Sequence, residues 1–161
     1  MKIAYVLGVF PKLSELTVVY EVSELIRRGY NVRIFSINKP NEKIIHEDIK
    51  KYRILDKTKY FSFFGFIKDF LKSTKNFLWL LKNEEGSIYI KLKASYLATL
   101  VEKERPNIIH AHFADQPTAV AMYISRLVKI PYTFTAHAHD IFRNSVDSGF
   151  LKKKAQHARY V

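Results

Sequence analysis

The fold is decided by residues 2–37, which read KIAYVLGVFPKLSELTVVYEVSELIRRGYNVRIFSI. Residues 2–9 are a mostly apolar run of the kind found in buried strands, and residues 32–37 form a second such run. Between them, apolar side chains from Val18 to Ile26 recur at helical spacing. A strand, a helix and a strand in so short a stretch predict a right-handed βαβ unit and therefore a parallel sheet.

The rest of the chain continues this alternation. Ser14 is a candidate N-cap of the first helix, with Glu15 in its first turn, and Gly29 is placed to end that helix. Further strands are predicted at residues 107–110 and 131–135, and further helices at residues 87–103, 116–128 and 148–156. We therefore predict an α/β fold with a Rossmann-like, doubly wound, mostly parallel sheet and helices on both faces, in one domain over residues 1–161.

Histidines cluster after two of the predicted strands. Ile109–Asp115 reads IHAHFAD and Ala136–Ile141 reads AHAHDI, so four of the six histidines lie in these two segments. Side chains two apart in a strand point the same way, so each His-x-His pair is expected to present two imidazoles to one place. Open α/β sheets bind ligands at the carboxyl edge of their strands. The functional site is therefore predicted at this edge.

Composition excludes several classes of protein and site. A chain of 161 residues that is 48 % hydrophobic is large enough for one globular domain. The absence of cysteine excludes disulfides and thiolate metal sites. The opening apolar run stops at Pro11 without a small-residue cleavage site, and no apolar stretch approaches the roughly 20 residues that span a bilayer. We expect a cytoplasmic protein.

The net charge is +12, but the positive residues avoid the histidine clusters. No lysine or arginine occurs from Asn107 to Ser125, nor from Pro131 to Phe142. The candidate site is therefore not a basic groove, and nucleic acid is not an expected partner.

Residues 60–82 combine apolar and basic side chains. Their apolar residues fall roughly on one helical stripe, and most of the lysines lie off it. A helix that packs into the core is the simpler interpretation. The alternative is an interfacial segment that contacts anionic lipid, which would place the protein peripherally at the inner face of the membrane.

Three segments together resemble a known family of enzymes. The first is FPKLSE at Phe10–Glu15, followed by Glu21–Leu25 and Gly29–Val32; the second is HAHFADQP at His110–Pro117; the third is PYTFTAHAHD at Pro131–Asp140. In this order they resemble the amino-terminal, acceptor-side domain of GT-B retaining glycosyltransferases, and the chain is similar to glycosyltransferase family 4.

The resemblance implies one half of a GT-B architecture, facing a nucleotide-sugar-binding domain across a cleft. That donor domain is not expected within residues 1–161, since family donor sites carry two glutamates eight positions apart and no pair here has that separation. Residues 158–161 look like the start of another strand, so we expect a fragment of a longer protein. The implied hexosyltransferase-type reaction moves a sugar, with retention, from a nucleotide-sugar to a polysaccharide or lipid-linked acceptor. It needs no separate cofactor, and the isolated chain should be inert.

The resemblance also assigns roles to residues. His137 matches the family's catalytic histidine, which is implied to hydrogen-bond the transferred sugar and stabilise charge at its anomeric carbon. Asp140 is better suited to accept hydrogen bonds that organise a loop than to act as a general base. The resemblance implies no metal. Acceptor binding is expected from residues at the same edge, namely Lys12, Ser14, Glu15, His110, His112, Gln116, His139 and Asp140.

Two other functions stay open at this point. A metal-dependent hydrolase could use the His-x-His clusters, because imidazole and carboxylate groups bind zinc. A non-catalytic binding subunit could instead dock a separately encoded donor domain.

Overall fold

The computed structural model describes residues 1–41, 45–143 and 145–161. Within these residues, five strands form one parallel sheet in the order β3-β2-β1-β4-β5, so the predicted α/β class and parallel sheet are confirmed. Tyr160 adds a parallel bridge to Thr133 beyond β5, as the predicted strand start would require. The strands are β1 (Lys2–Val9), β2 (Asn31–Asn38), β3 (Thr58–Tyr60), β4 (Ile108–His112) and β5 (Tyr132–Thr135).

Helices connect successive strands and cover the sheet. They are α1 (Leu16–Arg27), α2 (Glu47–Lys51), α3 (Phe63–Lys68), α4 (Phe70–Asn83), α5 (Ile88–Glu104), α6 (Gln116–Val128), α7 (Ala138–Phe142) and α8 (Ser148–His157). Across the described ranges, no helix has the length and apolar character needed to cross a bilayer.

The two faces of the sheet carry separate cores. Tyr5 and Leu7 of β1 pack on one face with side chains of α1 and α2, such as Val22. Ala4 and Val6 point to the other face and pack against α5 and α6. The helix α4 lies outside α5 and packs against it. Alternation along β1 thus places helices on both faces, as predicted.

The predicted start of the first helix is wrong. Residues Leu13–Glu15 form a single 3₁₀ turn, and α1 begins at Leu16, so Ser14 does not cap it. The carboxylate of Glu15 accepts a hydrogen bond from Lys12 Nζ at 2.8 Å rather than capping the helix with its side chain. The predicted end is confirmed, because Gly29 adopts a φ of +82° just after α1.

The interpretation of residues 60–82 as one core-packing helix is also wrong. The segment forms two helices, α3 and α4, separated at Asp69. Gly65 lets α3 approach α5 closely, since a Cβ at that position would lie 2.2 Å from the hydroxyl oxygen of Tyr96. Phe66, Ser73 and Leu80 are buried on the inner side of the segment. Much of its apolar stripe faces outward instead; Leu71, for example, is 85 % exposed.

The strand β3 was not predicted. It is only three residues long, and Lys59 within it lies 2.7 Å from Glu104 at the end of α5. Lys2 and Arg33 also reach this carboxylate. Hydrogen bonding from Lys59 and then from Arg33 outweighs burial and lowers the pKa of Glu104 to about 2. Long-range ion pairs thus hold this edge, and local sequence patterns do not reveal them.

Candidate functional site

The two histidines of β4 lie side by side. The ring centroids of His110 and His112 are 5.1 Å apart. In the sheet, His110 is in register with Tyr5 of β1 and Thr133 of β5, so these side chains share one face. His110 Nδ1 lies 2.8 Å from the hydroxyl oxygen of Thr133. The predicted juxtaposition of these two imidazoles is therefore confirmed.

The helix α1 contributes a carboxylate to this face. The hydroxyl of Tyr5 donates to Oε1 of Glu21, and Nε2 of His112 lies 3.1 Å from Oε2. An ionised carboxylate only accepts, so Nε2 of His112 carries the proton in this pair. Burial would raise the pKa of Glu21, but the hydrogen bonds from His112 and Tyr5 outweigh it and lower the pKa to about 2. The three residues connect β1, α1 and β4.

Burial keeps the neighbouring groups neutral. It lowers the pKa of His110 to about 4, with the nearby His112 acting in the same direction. It also raises the pKa of Tyr5, to which the hydrogen bond with Glu21 adds. His112 is only 2 % exposed, and its Nδ1 has no hydrogen-bond partner among the described residues. At neutral pH this face therefore offers a neutral His110 and a phenol that stays protonated.

His137 reaches the same cluster from the end of β5. Its ring stacks on Phe113 with centroids 4.5 Å apart and lies 5.8 Å from the ring of His112. Its Nε2 is covered and, within the described ranges, lacks a hydrogen-bond partner. A ligand hydroxyl could pair with this nitrogen if the ring turned away from Phe113. Phe113 itself has a φ of +73°, a left-handed conformation that is uncommon for a bulky residue.

Asp140 organises the loops around the histidines. It is 4 % exposed, and its Oδ2 accepts hydrogen bonds from the backbone N–H groups of Ala114 at 2.9 Å and His137 at 3.0 Å. The carbonyl of Ala114 accepts from Nζ of the buried Lys154 in α8. Burial lowers the pKa of this lysine. Asp140 thus fixes the loops after β4 and β5 relative to each other, which fits the predicted loop-organising role.

The second His-x-His pair does not behave like the first. β5 ends at Thr135, so the strand rule does not apply to His137 and His139. His139 lies exposed on the short helix α7, whereas His137 precedes that helix in extended backbone. The expectation that both imidazoles of this pair face one place is wrong, because the chain turns into a helix between them.

The other candidate residues lie on nearby loops. Lys12, Ser14 and Glu15 follow β1, and Ser14 is exposed. Gln116 is the exposed first residue of α6, and it lines a pocket of about 230 Å³ together with Asp140. These residues surround the carboxyl edge, as predicted, but they do not form one continuous set with the histidines of β4.

Glu21, His110 and His112 could together hold a metal ion. One ligand atom each from Glu21, His110 and His112 lies within 4.8 Å of the other two. The carboxylate of Glu21 already accepts from both Tyr5 and His112, so a metal would have to displace a hydrogen bond and its proton.

Sequence reasoning missed three members of the cluster. Tyr5 offered a signal, because a buried phenol in an aliphatic strand needs a hydrogen-bond partner. Glu21 offered no such signal, because its position in the sequence looks the same as that of a solvent-exposed glutamate on a helix. Thr133 could be found only from the register of β4 and β5, which the sequence does not state.

The parallel sheet with helices on both faces, and the polar cluster at its carboxyl edge, define a Rossmann-like half of a GT-B fold. The family model for Glycosyltransferase Family 4 matches residues 14–160. The chain belongs to this family, and the match supports a transferase function. A comparison with curated proteins gave no match.

Proposed function

We propose that the chain is the acceptor-side domain of a retaining hexosyltransferase. A sugar moves from a nucleotide-sugar to a hydroxyl of a polysaccharide or lipid-linked acceptor. The bond between the anomeric carbon and the donor diphosphate breaks, a glycosidic bond to the acceptor oxygen forms, and the proton of that hydroxyl passes to the leaving diphosphate. In this proposal residues 1–161 supply the acceptor side, and a second domain supplies the donor side.

The Nε2 of His137, which is covered and has no hydrogen-bond partner among the residues that the structure describes, carries this proposal. A neutral imidazole both donates and accepts, which suits a sugar hydroxyl. The ring stacks on Phe113 and would turn away from it to expose Nε2, while Asp140 holds the backbone of His137 in place. The neutral His110, which lies beside His112 on β4, offers a second uncharged partner for an acceptor hydroxyl.

Nuclear magnetic resonance titration of the labelled chain tests the proposal. Oligosaccharide acceptors should shift the ring resonances of His110 and His137, and nucleotide-sugars added to the chain alone should not turn over. The His137→Ala variant should lose the acceptor-induced shift at His110. His157→Ala is the matched control, because His157 is exposed on α8 and should leave the shift unchanged. Turnover of a nucleotide-sugar by the chain alone would contradict the assignment.

The metal-dependent hydrolase remains a second candidate because of the donor atoms of Glu21, His110 and His112. It predicts stoichiometric zinc in protein purified without chelators, and loss of that zinc in His110→Ala. Elemental analysis decides between the two functions, since the glycosyltransferase proposal needs no metal at this cluster.

A further inference from the structure

The helices α3 and α4 present an apolar surface that no described element covers. Seven large apolar side chains between residues 63 and 81 are exposed, and two of them, Phe64 at 78 % and Leu71 at 85 %, are almost fully so. The set is Phe63, Phe64, Ile67, Phe70, Leu71, Leu78 and Leu81, here called the α3–α4 surface. So dense a group of large apolar side chains on one segment marks an interaction site.

The geometry of α4 explains why these residues face outward. Ser73 and Leu80 lie on the side of α4 that packs on α5, and both are fully buried. Leu71 and Leu78 lie seven residues apart on the opposite side, so they project away from the core. On α3, Gly65 is the point of close approach to Tyr96. The packing of α3 and α4 on α5 therefore leaves these apolar side chains exposed to solvent.

Positive charge surrounds this surface. The segment from Phe63 to Asn83 carries four lysines and one acidic residue, Asp69. Asp69 pairs with Lys103, and Lys72 pairs with Glu102. Lys75 and Lys82 make no ion pair within the described part of the chain. Apolar side chains flanked by lysines are the pattern of helices that lie in the headgroup region of an anionic bilayer.

A groove along the edge of the surface adds a place for a headgroup. It has a volume of about 580 Å³ and lies between α4 and the C-terminal ends of α5 and α6. Lys75, Arg126 and Lys129 line it, and the charged groups of Arg126 and Lys129 lie 5.8 and 6.0 Å from the ring centroid of Trp79. Arg126 pairs with the buried Glu84, and Glu102, which also lines the groove, pairs with Lys72. Lys75 and Lys129 make no ion pair among the described residues, so they are the cations that a lipid phosphate would meet beside Trp79.

We propose that the α3–α4 surface binds an anionic lipid bilayer, with its apolar side chains in the headgroup boundary and lipid phosphates in the adjacent groove. The surface would hold the domain flat against a membrane that contains lipid-linked substrates. None of these residues belongs to the histidine cluster, so binding can be tested without any assay of sugar transfer.

The test uses Trp79, the single tryptophan of the chain, as an internal probe. Vesicles containing phosphatidylglycerol should shift the Trp79 emission to shorter wavelength, and the chain should co-sediment with them. Neutral phosphatidylcholine vesicles should have neither effect. Added salt should weaken the binding. Inorganic phosphate alone should not reproduce the shift, because it can occupy the groove but offers the apolar side chains no bilayer to enter.

Two pairs of variants separate the contributions. Leu71→Ser with Leu78→Ser should reduce the partition coefficient by about tenfold or more, since two apolar side chains no longer enter the bilayer. Ile88→Ser is the control, because Ile88 is exposed outside this surface at the start of α5. All these positions are exposed, so folding should survive, and circular dichroism verifies it.

Lys75→Glu with Lys129→Glu should reduce binding by about 25-fold or more, at roughly fivefold for each lost lysine. Lys39→Glu with Lys50→Glu is the charge-matched control; both pairs lower the net charge from +12 to +8. Equal losses in the two pairs would mean that only net charge matters, and would overturn the proposal. So would a Trp79 shift that follows protein concentration rather than vesicles, because it would show that a second copy covers the surface.

Discussion

Glu21 and His112 are 91 residues apart in the chain, yet Oε2 of Glu21 lies 3.1 Å from Nε2 of His112. The pair connects the first helix to the strand that carries the histidines. Because His112 is 2 % exposed, its N–H has no alternative partner in water. The geometry of the cluster therefore depends on a residue that lies in α1.

Glu21→Ala should lower the free energy of unfolding by about 2 kcal/mol, because it leaves the buried N–H of His112 and the hydroxyl of Tyr5 unpaired. Glu24→Ala on the same helix removes only exposed pairs with Arg27 and Arg28, so it should leave the free energy of unfolding close to that of the parent chain. Urea denaturation measures both. A double-mutant cycle with Tyr5→Phe should show coupling, and simple additivity would contradict the network.

Stability should fall as the pH falls, in two overlapping ranges. His110 has a folded pKa of about 4 against an ordinary 6.5, so the unfolded chain takes up its proton first and stability is lost between about pH 6.5 and 4. Glu21 has a folded pKa of about 2 against 4.5, so its contribution is present above pH 4.5 and is lost as the pH falls toward 2.

The variant His110→Asn should remove the upper range and leave the lower one. Free energies of unfolding measured from pH 8 to pH 3 test this, with His157→Asn as the exposed control. An unchanged slope between pH 6.5 and 4 in His110→Asn would contradict the assignment to His110.

Asp140→Ala should loosen the loops after β4 and β5 together. Two backbone N–H groups lose a buried, charged acceptor, which should cost about 3 kcal/mol of unfolding free energy. Amide hydrogen exchange should become faster at both Ala114 and His137. Asp147→Ala removes an exposed N-cap of α8 and should cost only about 1 kcal/mol, without faster exchange at Ala114.

Gly65→Ala should destabilise the domain by about 1–3 kcal/mol, because its Cβ would overlap the ring and hydroxyl of Tyr96. The overlap includes the hydroxyl oxygen, so Tyr96→Phe should rescue part of the loss. In Gly149→Ala the new Cβ would meet only a flexible Asp147 oxygen at 3.4 Å, and thermal unfolding should show little change. Equal effects at the two glycines would contradict the close approach of α3 to α5.

Elements with strong local patterns could be predicted from the sequence. Strand β1 and helix α6 match their predicted ranges and helix α5 matches within one residue. Strand β1 is a continuous apolar run that Pro11 follows, and Pro106 follows α5. The outward face of α4 could not be predicted, since an apolar stripe looks the same whether it meets a core or a partner. The strand β3 could not be predicted either, because it is three residues long and its ion pair joins Lys59 to the distant Glu104.

For the site, the sequence located the edge and the β4 histidines but not their partners. Two imidazoles on one strand follow from the alternation rule. The hydrogen bond from His112 to Glu21 requires knowing which face α1 covers and how far along it packs. The separation of His139 from His137 depends on where β5 stops, and strand ends are poorly marked by composition.

Both backbone polar groups of Ala114 are hydrogen-bonded to side chains, the N–H to Asp140 and the carbonyl to Lys154. Exchanging the segment after β4 with that of another family member therefore transfers its conformation only if both polar partners are transplanted with it. A chimera that carries over the histidines alone would inherit their chemistry without the scaffold that orients them.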